Sequence, residues 1–281
     1  MIVRMEYLIL FVLGLVFGSF GSVLVSRLQG EVSWQTWLGI FKGRSRCPYC
    51  WHTLAAKDLI PLISFLTAKG KCRYCGKSIW WFYPALEIVS GLVFVISWRW
   101  VNVHFGGDIA SLIFWIGANR LLFLILVGDI ISYHLNPRLW IGLVLWIIGW
   151  WFVGMVDWSY SIVRGLVFLM LFTILRLGAR LYVQLRYKLK DMEWIWSWDI
   201  FVAFTIGLLM GWIFPPNEDL IIFVPLIYLI FAAGVSLIYT FVVAALQNFK
   251  MGKSIPFLPG MIIAFWVLML WWDKIISWLV F

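Results

Sequence analysis

Hydrophobic residues in this chain fall into long blocks, and polar residues gather in the gaps between them. Largely apolar blocks stand near 7–25, 80–98, 109–129, 139–156, 160–182, 195–214, 220–246 and 256–279. An α-helix needs about 20 such residues to cross the hydrocarbon core of a bilayer. Backbone amides have no water to bond there, so only helices and closed barrels can span it. A barrel would show short segments of alternating polarity, and the blocks are continuous instead. The pattern predicts an all-α fold, a polytopic membrane helix bundle of about eight transmembrane helices. The fourth and fifth blocks are parted only by Asp157, Trp158 and Ser159. No internal repeat or low-complexity tract is evident.

The first block is longer than the apolar core of a typical signal peptide. Arg27 follows it where a small-residue cleavage site would stand, so it reads as a retained helix. The one sizeable polar stretch is 26–79. The chain therefore divides into a first transmembrane helix (1–25), a cysteine-bearing loop (26–79) and a transmembrane bundle (80–281). The loop is too short for a large core of its own, which makes a metal staple physically sensible.

Composition sharpens the membrane reading. Charged residues make up 12% of the 281, where a soluble domain carries about 25%. The 21 Trp residues suit a protein with extensive membrane interfaces. The net charge of +9 does not point to nucleic acid, because the cations concentrate in a few loops where topology accounts for them. Loop 26–79 holds Arg27, Lys42, Arg44, Arg46, Lys57, Lys69, Lys71, Arg73 and Lys77, so the positive-inside rule makes it cytoplasmic. Alternation then puts Arg138, the group Arg186, Lys188 and Lys190, and the pair Lys250 and Lys253 on the same side. Asp108, Asp157, Glu218 and Asp219 fall outside, with Arg99 the main exception. An even number of spans with both termini outside follows.

Charges within spans are costly and are functional candidates by default. Asp129 ends the third block and Asp199 begins the sixth, at the cytoplasmic ends of their helices. Two carboxylates at one depth could converge, share a proton, and act as general base and general acid on water. Each could equally be a helix cap or an interfacial charge. Glu87, in the second block, reads as a buried structural partner for a cation such as Arg120, and Asp273 as interfacial.

Cys47-Pro-Tyr-Cys50 and Cys72-Arg-Tyr-Cys75 have the spacing of a four-thiolate zinc site, and flanking Lys and Arg would stabilise the thiolates. Disulfides are disfavoured in a cytoplasmic loop. A redox motif would leave the second pair unexplained and lacks a surrounding βαβ pattern. Another thiophilic metal is the remaining alternative. His52 and His134 read as incidental.

Several motifs now resemble, in order, those of the prepilin peptidases, the type IV prepilin leader peptidase family of bacterial membranes. They are Gly18-Ser-Phe-Gly-Ser-Val-Leu-Val-Ser-Arg27, with Ser22 in place of the family's usual Asn, then Ser45-Arg-Cys-Pro-Tyr-Cys50, Asp58-Leu-Ile-Pro-Leu-Ile-Ser-Phe-Leu66, Gly70-Lys-Cys-Arg-Tyr-Cys75, Tyr83-Pro-Ala-Leu-Glu87 and Ile255-Pro-Phe-Leu-Pro259. The resemblance implies an aspartic peptidase of the bacterial inner membrane. Such an enzyme cuts the basic leader of prepilins or pseudopilins on the cytoplasmic side. Many members also methylate the new N-terminus with S-adenosylmethionine. It implies Asp129 and Asp199 as the catalytic pair; the ligand spacing gives structural Zn²⁺ on Cys47, Cys50, Cys72 and Cys75, and the apolar spans give membrane lipids as the surroundings. No glycine-rich cofactor loop is visible.

The second Asp departs from the family pattern. The family's G-x-G-D is Trp196-Ser-Trp-Asp199 here, and the following Lys is Phe201. Tryptophan removes the backbone freedom of glycine and fills the space beside the substrate chain. The alternative function is therefore a catalytically impaired member that binds pilin-like helices as a membrane scaffold.

Overall fold

The computed structural model describes residues 2–28, 44–132, 135–153, 158–187, 197–213, 220–247 and 257–279. Among the residues singled out above, Lys42, His134, Asp157, Lys188, Lys190, Trp196, Glu218, Asp219, Lys250 and Lys253 lie outside this set, as do the side chains of Arg186, Trp198 and Asp273. The described chain is helical throughout, with two isolated β-bridges in the cysteine loop. The helices are α1 (Ile2–Leu28), α2 (Ile63–Thr67), α3 (Phe82–His104), α4 (Ile109–Ser132), α5 (Pro137–Phe152), α6 (Trp158–Tyr187), α7 (Ser197–Ile213), α8 (Leu220–Gln247) and α9 (Leu258–Leu279), with a 3₁₀ turn at Ala56–Asp58.

Each of the eight predicted blocks has its helix. Segments Met5–Val25, Phe82–His104, Ile109–Ile131 and Ser159–Tyr182 are long and apolar enough to cross a membrane, and α5, α7, α8 and α9 contain shorter apolar segments. Trp158 and Ser159, read as a connection, instead open α6. Helix α3 runs beyond the predicted 98 to His104 and stops at Gly106 and Gly107, whose φ values of 60° and 78° let the Phe105 and Gly107 amides return to the Val101 carbonyl. Asn136 caps α5 by accepting from the Arg138 amide at 3.1 Å, and Pro137 takes the first helical position, where no amide is needed.

The chain forms two compact units, Met1–Leu124 and Ile125–Phe281. In the first, α1 packs along α3. Gly14 and Gly18 stand four residues apart on α1, and a Cβ on Gly14 would lie 2.6 Å from the Gly91 Cα and 2.7 Å from the Ser90 carbonyl. The backbones meet there with no side chain between them, the close packing that small residues permit in membranes. Arg120 of α4 ties this pair by donating to the Phe17 carbonyl and to Ser90 Oγ, with its guanidinium 4.9 Å from the Phe17 ring.

In the second unit α6 packs on α7 and α8 on α9, with lesser contacts of α7 with α9 and α6 with α8. Gly207 and Gly211 repeat the device: a Cβ on Gly207 would meet the Arg164 carbonyl and the Gly165 Cα, both at 2.9 Å. The fully buried Arg164 donates at 2.9 Å to the Met210 carbonyl in the last turn of α7, where carbonyls lack helical partners.

Gly14→Val should cost about 1–3 kcal/mol through overpacking of α1 against α3. Gly149→Ala, where nothing lies within 4 Å, should leave stability unchanged or slightly higher. Thermal unfolding of the two variants in detergent checks both.

Candidate functional site

Two C-x-x-C turns of the same construction gather the cysteines. In the first, the Cys47 amide donates to the His52 carbonyl at 3.1 Å, the Trp51 amide returns to the Cys47 carbonyl at 2.9 Å, and Arg46 bridges Thr53. In the second, the Cys72 amide donates to the Lys77 carbonyl at 2.8 Å, the Gly76 amide returns to the Cys72 carbonyl at 2.9 Å, and Lys71 bridges Ser78. Residues 45–54 and 70–79 are therefore a structural repeat, contrary to the absence read from sequence. Its signal is Arg-Cys-x-Tyr-Cys-x-His-Thr-Leu against Lys-Cys-x-Tyr-Cys-x-Lys-Ser-Ile. One positive charge, two cysteines, a tyrosine, a small hydroxyl and an aliphatic residue recur, too little to register as a repeat without the geometry.

The four sulfurs all lie within 4.8 Å of one another, with Cys47 Sγ 3.9 Å from Cys75 Sγ, and none is in a disulfide. Thiolates around one zinc at about 2.3 Å stand about 3.8 Å apart. The donor set thus fits a tetrahedral metal. Burial opposes ionisation of Cys47, but the amides of Cys50 and Tyr49 and the thiols of Cys72 and Cys50 bring it down to about 7. For Cys75 the Lys77 amide favours the thiolate, while burial and hydrogen bonds from Cys72, Cys50 and Cys47 push it up to about 11. A cation would relieve this competition by displacing the protons.

Polar staples hold the rest of the loop. Asp58 pairs with Arg73 at 3.3 Å and accepts from Tyr74 Oη at 2.8 Å and from the Ala55 amide at 3.1 Å. Burial alone would raise the Asp58 carboxyl, yet Tyr74, the Ala55 amide and the charges of Arg73 and Lys57 hold it below the usual carboxylate range. His52 is not among the clustered ligands, and its ring stacks on Tyr74 at 3.7 Å, joining the two cysteine turns. Glu87 does have a structural role, but its partner is the Leu62 amide at 2.8 Å rather than Arg120. That bond holds Leu62 at φ 58°, a left-handed conformation a leucine rarely adopts. A cleft of about 660 Å³ opens between this loop and the adjoining ends of α1 and α3.

The two aspartates both belong to the second unit. Asp129 lies in the last turn of α4 and is 6% exposed, at the end of a run from Leu122 that is buried throughout. Asp199 lies in the first turn of α7 and is 4% exposed. Its helix is pinned to α5 by Trp140, whose Nε1 donates to Thr205 Oγ1 at 2.9 Å and whose ring packs on Phe201 at 5.4 Å. Sequence reading passed over Trp140, Thr205 and Arg164. Arg164, a cation within a span, was the one signal available among them.

Purified chain should hold one zinc, measured by elemental analysis, and Cys72→Ser should lose it. Because protons compete for the same sulfurs, metal retention against a chelator should weaken as pH falls through about 7, where Cys47 regains its proton. Asp58→Asn should loosen the loop by about 1–3 kcal/mol at neutral pH. The lowered carboxyl contributes stability above the ordinary carboxylate range and loses it as pH falls through its folded value, so wild type should show the same loosening only in acid. Amide hydrogen exchange across 45–79 reads both.

Comparison with known proteins adds a family. The sequence profile of the Bacterial Peptidase A24 N-terminal domain matches residues 12–101. The chain is 30% identical over 292 residues to the prepilin leader peptidase/N-methyltransferase of Stutzerimonas stutzeri, covering 94% of this chain and 90% of that protein. It is 27% identical over 290 residues to the protein of the same name from Aeromonas salmonicida, covering 96% and 92%. A third, from Bacillus subtilis, is 40% identical over 98 residues, covering 35% of this chain and 36% of that protein. No solved structure matches. On the length and identity of these matches, the chain belongs to the prepilin leader peptidase/N-methyltransferase family.

Proposed function

We propose that this protein is a membrane aspartic endopeptidase that removes the basic leader of type IV prepilins or pseudopilins. The observation that carries the reading is the pair of buried carboxylates, Asp129 and Asp199, set among apolar helices. Keeping two ionisable groups out of water is costly. A scaffold that only binds pilin-like helices has no need of them, which argues against that alternative.

Helix polarity suggests the division of labour. The first turn of α7 presents open amides and the positive end of its dipole to Asp199, which suits the carboxylate that takes a proton from water. The last turn of α4 presents carbonyls and the negative end to Asp129, which suits the carboxyl that donates to the scissile carbonyl oxygen. Water adds to the carbonyl carbon as these two protons move. Collapse of the tetrahedral intermediate then passes a proton to the leaving amine.

In this reading Cys47, Cys50, Cys72 and Cys75 hold a structural Zn²⁺ that organises the loop. The loop's cations support a cytoplasmic position, with the protein in the inner membrane. Methyl transfer, the second activity in the relatives' name, would use S-adenosylmethionine. The two described carboxylates of the first unit's cleft, Asp58 and Glu87, are both engaged, so the cleft offers the sulfonium of that cofactor no free counter-charge.

Co-expression with a prepilin from the same genome tests the proposal. Wild type should shorten the pilin, and Asp129→Asn or Asp199→Asn should each slow cleavage by on the order of 10³-fold or more while still inserting. Product mass reports both the lost leader and any added methyl group. Wild-type-like cleavage by either variant would remove the mechanism, and an uncut substrate with all three would favour the scaffold.

A further inference from the structure

The cleft of the first unit carries chemistry that peptide hydrolysis leaves unused. Among the described residues Arg27, Arg44, Arg46, Lys71, Arg73 and Lys77 line it, with two carboxylates, Asp58 and Glu87. Both acids are engaged, Asp58 with Arg73 and Tyr74, and Glu87 with the Leu62 amide. Among the described residues Arg44, Arg46, Lys71 and Lys77 have no carboxylate partner, and the two net negative charges of a zinc tetrathiolate at Cys47 and Cys72, added to the two carboxylates, would still leave the cleft's six cations in excess. Cations gathered in a partly enclosed cleft focus a field that attracts an anion.

A second observation comes from comparing the two cysteine turns. Gly76 closes the second at φ 70°, where glycine is at ease. Its counterpart in the first is Trp51, at φ 58° and 72% exposed. A bulky side chain in the left-handed region is strained, and Trp51 recovers nothing through burial. Tyr49 beside it is 63% exposed, and Trp80 and Trp81 before α3 are 54% and 68% exposed. Aromatic rings next to Lys and Arg are how membrane proteins meet the headgroup layer. The cleft opens where α1 and α3, both of membrane-spanning length, meet the loop, so that layer is where it lies.

We infer that this cleft holds the phosphate headgroup of an anionic phospholipid, with Arg44, Arg46, Lys71 and Lys77 around the phosphate and Trp51 seated in the interface. Free phosphate offers the same charge but gives the strained aromatic nothing to contact. The inference is independent of whether Asp129 and Asp199 cleave a substrate.

Native mass spectrometry of the full-length protein in neutral detergent tests it, with phosphatidylglycerol or phosphatidylcholine added. Wild type should retain phosphatidylglycerol at least about tenfold better, as several interfacial cations imply. Millimolar inorganic phosphate should not displace it. Arg46→Gln/Lys71→Gln should bring retention to the phosphatidylcholine level. Trp51→Gly, which relaxes the backbone and should keep the zinc, should weaken retention about threefold. Equal retention of the two lipids overturns the inference, as does unchanged retention by the double variant. Displacement by phosphate alone would make this a site for a soluble anion and overturn the lipid. Should the double variant fail to insert or lose zinc, unchanged retention by Trp51→Gly overturns the proposal by itself.

Discussion

A polar group placed inside a bilayer must find its partner within the protein, because lipid offers none. That requirement organises both units. Arg120 reaches the Phe17 carbonyl, Arg164 the Met210 carbonyl and Tyr228 the Met261 carbonyl, the last two at 2.9 Å. Trp140 reaches Thr205, whose hydroxyl returns to the Phe201 carbonyl. Each bond runs to a neighbouring helix or is one link from its backbone. A helical carbonyl that already accepts one amide has a second lone pair to give. The glycine contacts at Gly14 and Gly207 bring the backbones of α1 and α3, and of α6 and α7, together with no side chain between them.

Outside the bilayer the problem inverts. The described loop from residue 44 to α3 has too little apolar side chain to form a core, and among its few buried residues are Cys47 and Cys72 themselves. Its order comes from a duplicated turn, a carboxylate with three partners and one ring stack. Such a fold has few redundant contacts, so a metal at the centre of the thiols would dominate its stability.

The helices were legible because apolar runs of membrane length have few other uses; the fourth block, read from 139, opens two residues earlier at Pro137 behind the Asn136 cap, a polar signal outside the apolar run. The cysteine cluster was legible because ligand spacing in a C-x-x-C turn is set by local backbone geometry. What escaped was partnership. Glu87 and Arg120 looked like a pair of opposite charges, yet each is satisfied by backbone, which is present at every position and so leaves no trace in composition. The repeat of 45–54 at 70–79 escaped for a related reason. It is carried by amide-to-carbonyl bonds and a left-handed residue, which tryptophan fills once and glycine the other time.

Helix α5 is bounded at both ends, by the Asn136 cap and by Val153, and has 16 residues. At 1.5 Å per residue it rises about 24 Å, short of a hydrocarbon core of about 30 Å. Local thinning of the bilayer is one response to such a mismatch, beside snorkelling of flanking residues and oligomerisation. The thinned patch would lie beside the Asn136 end, a few residues along the chain from Asp129, and it shortens the path by which bulk water enters. Hydrolysis in a membrane consumes water where water is scarce. On the proposed peptidase reading, the acyl-chain length of the surrounding lipid would become a determinant of turnover, acting through the length of α5.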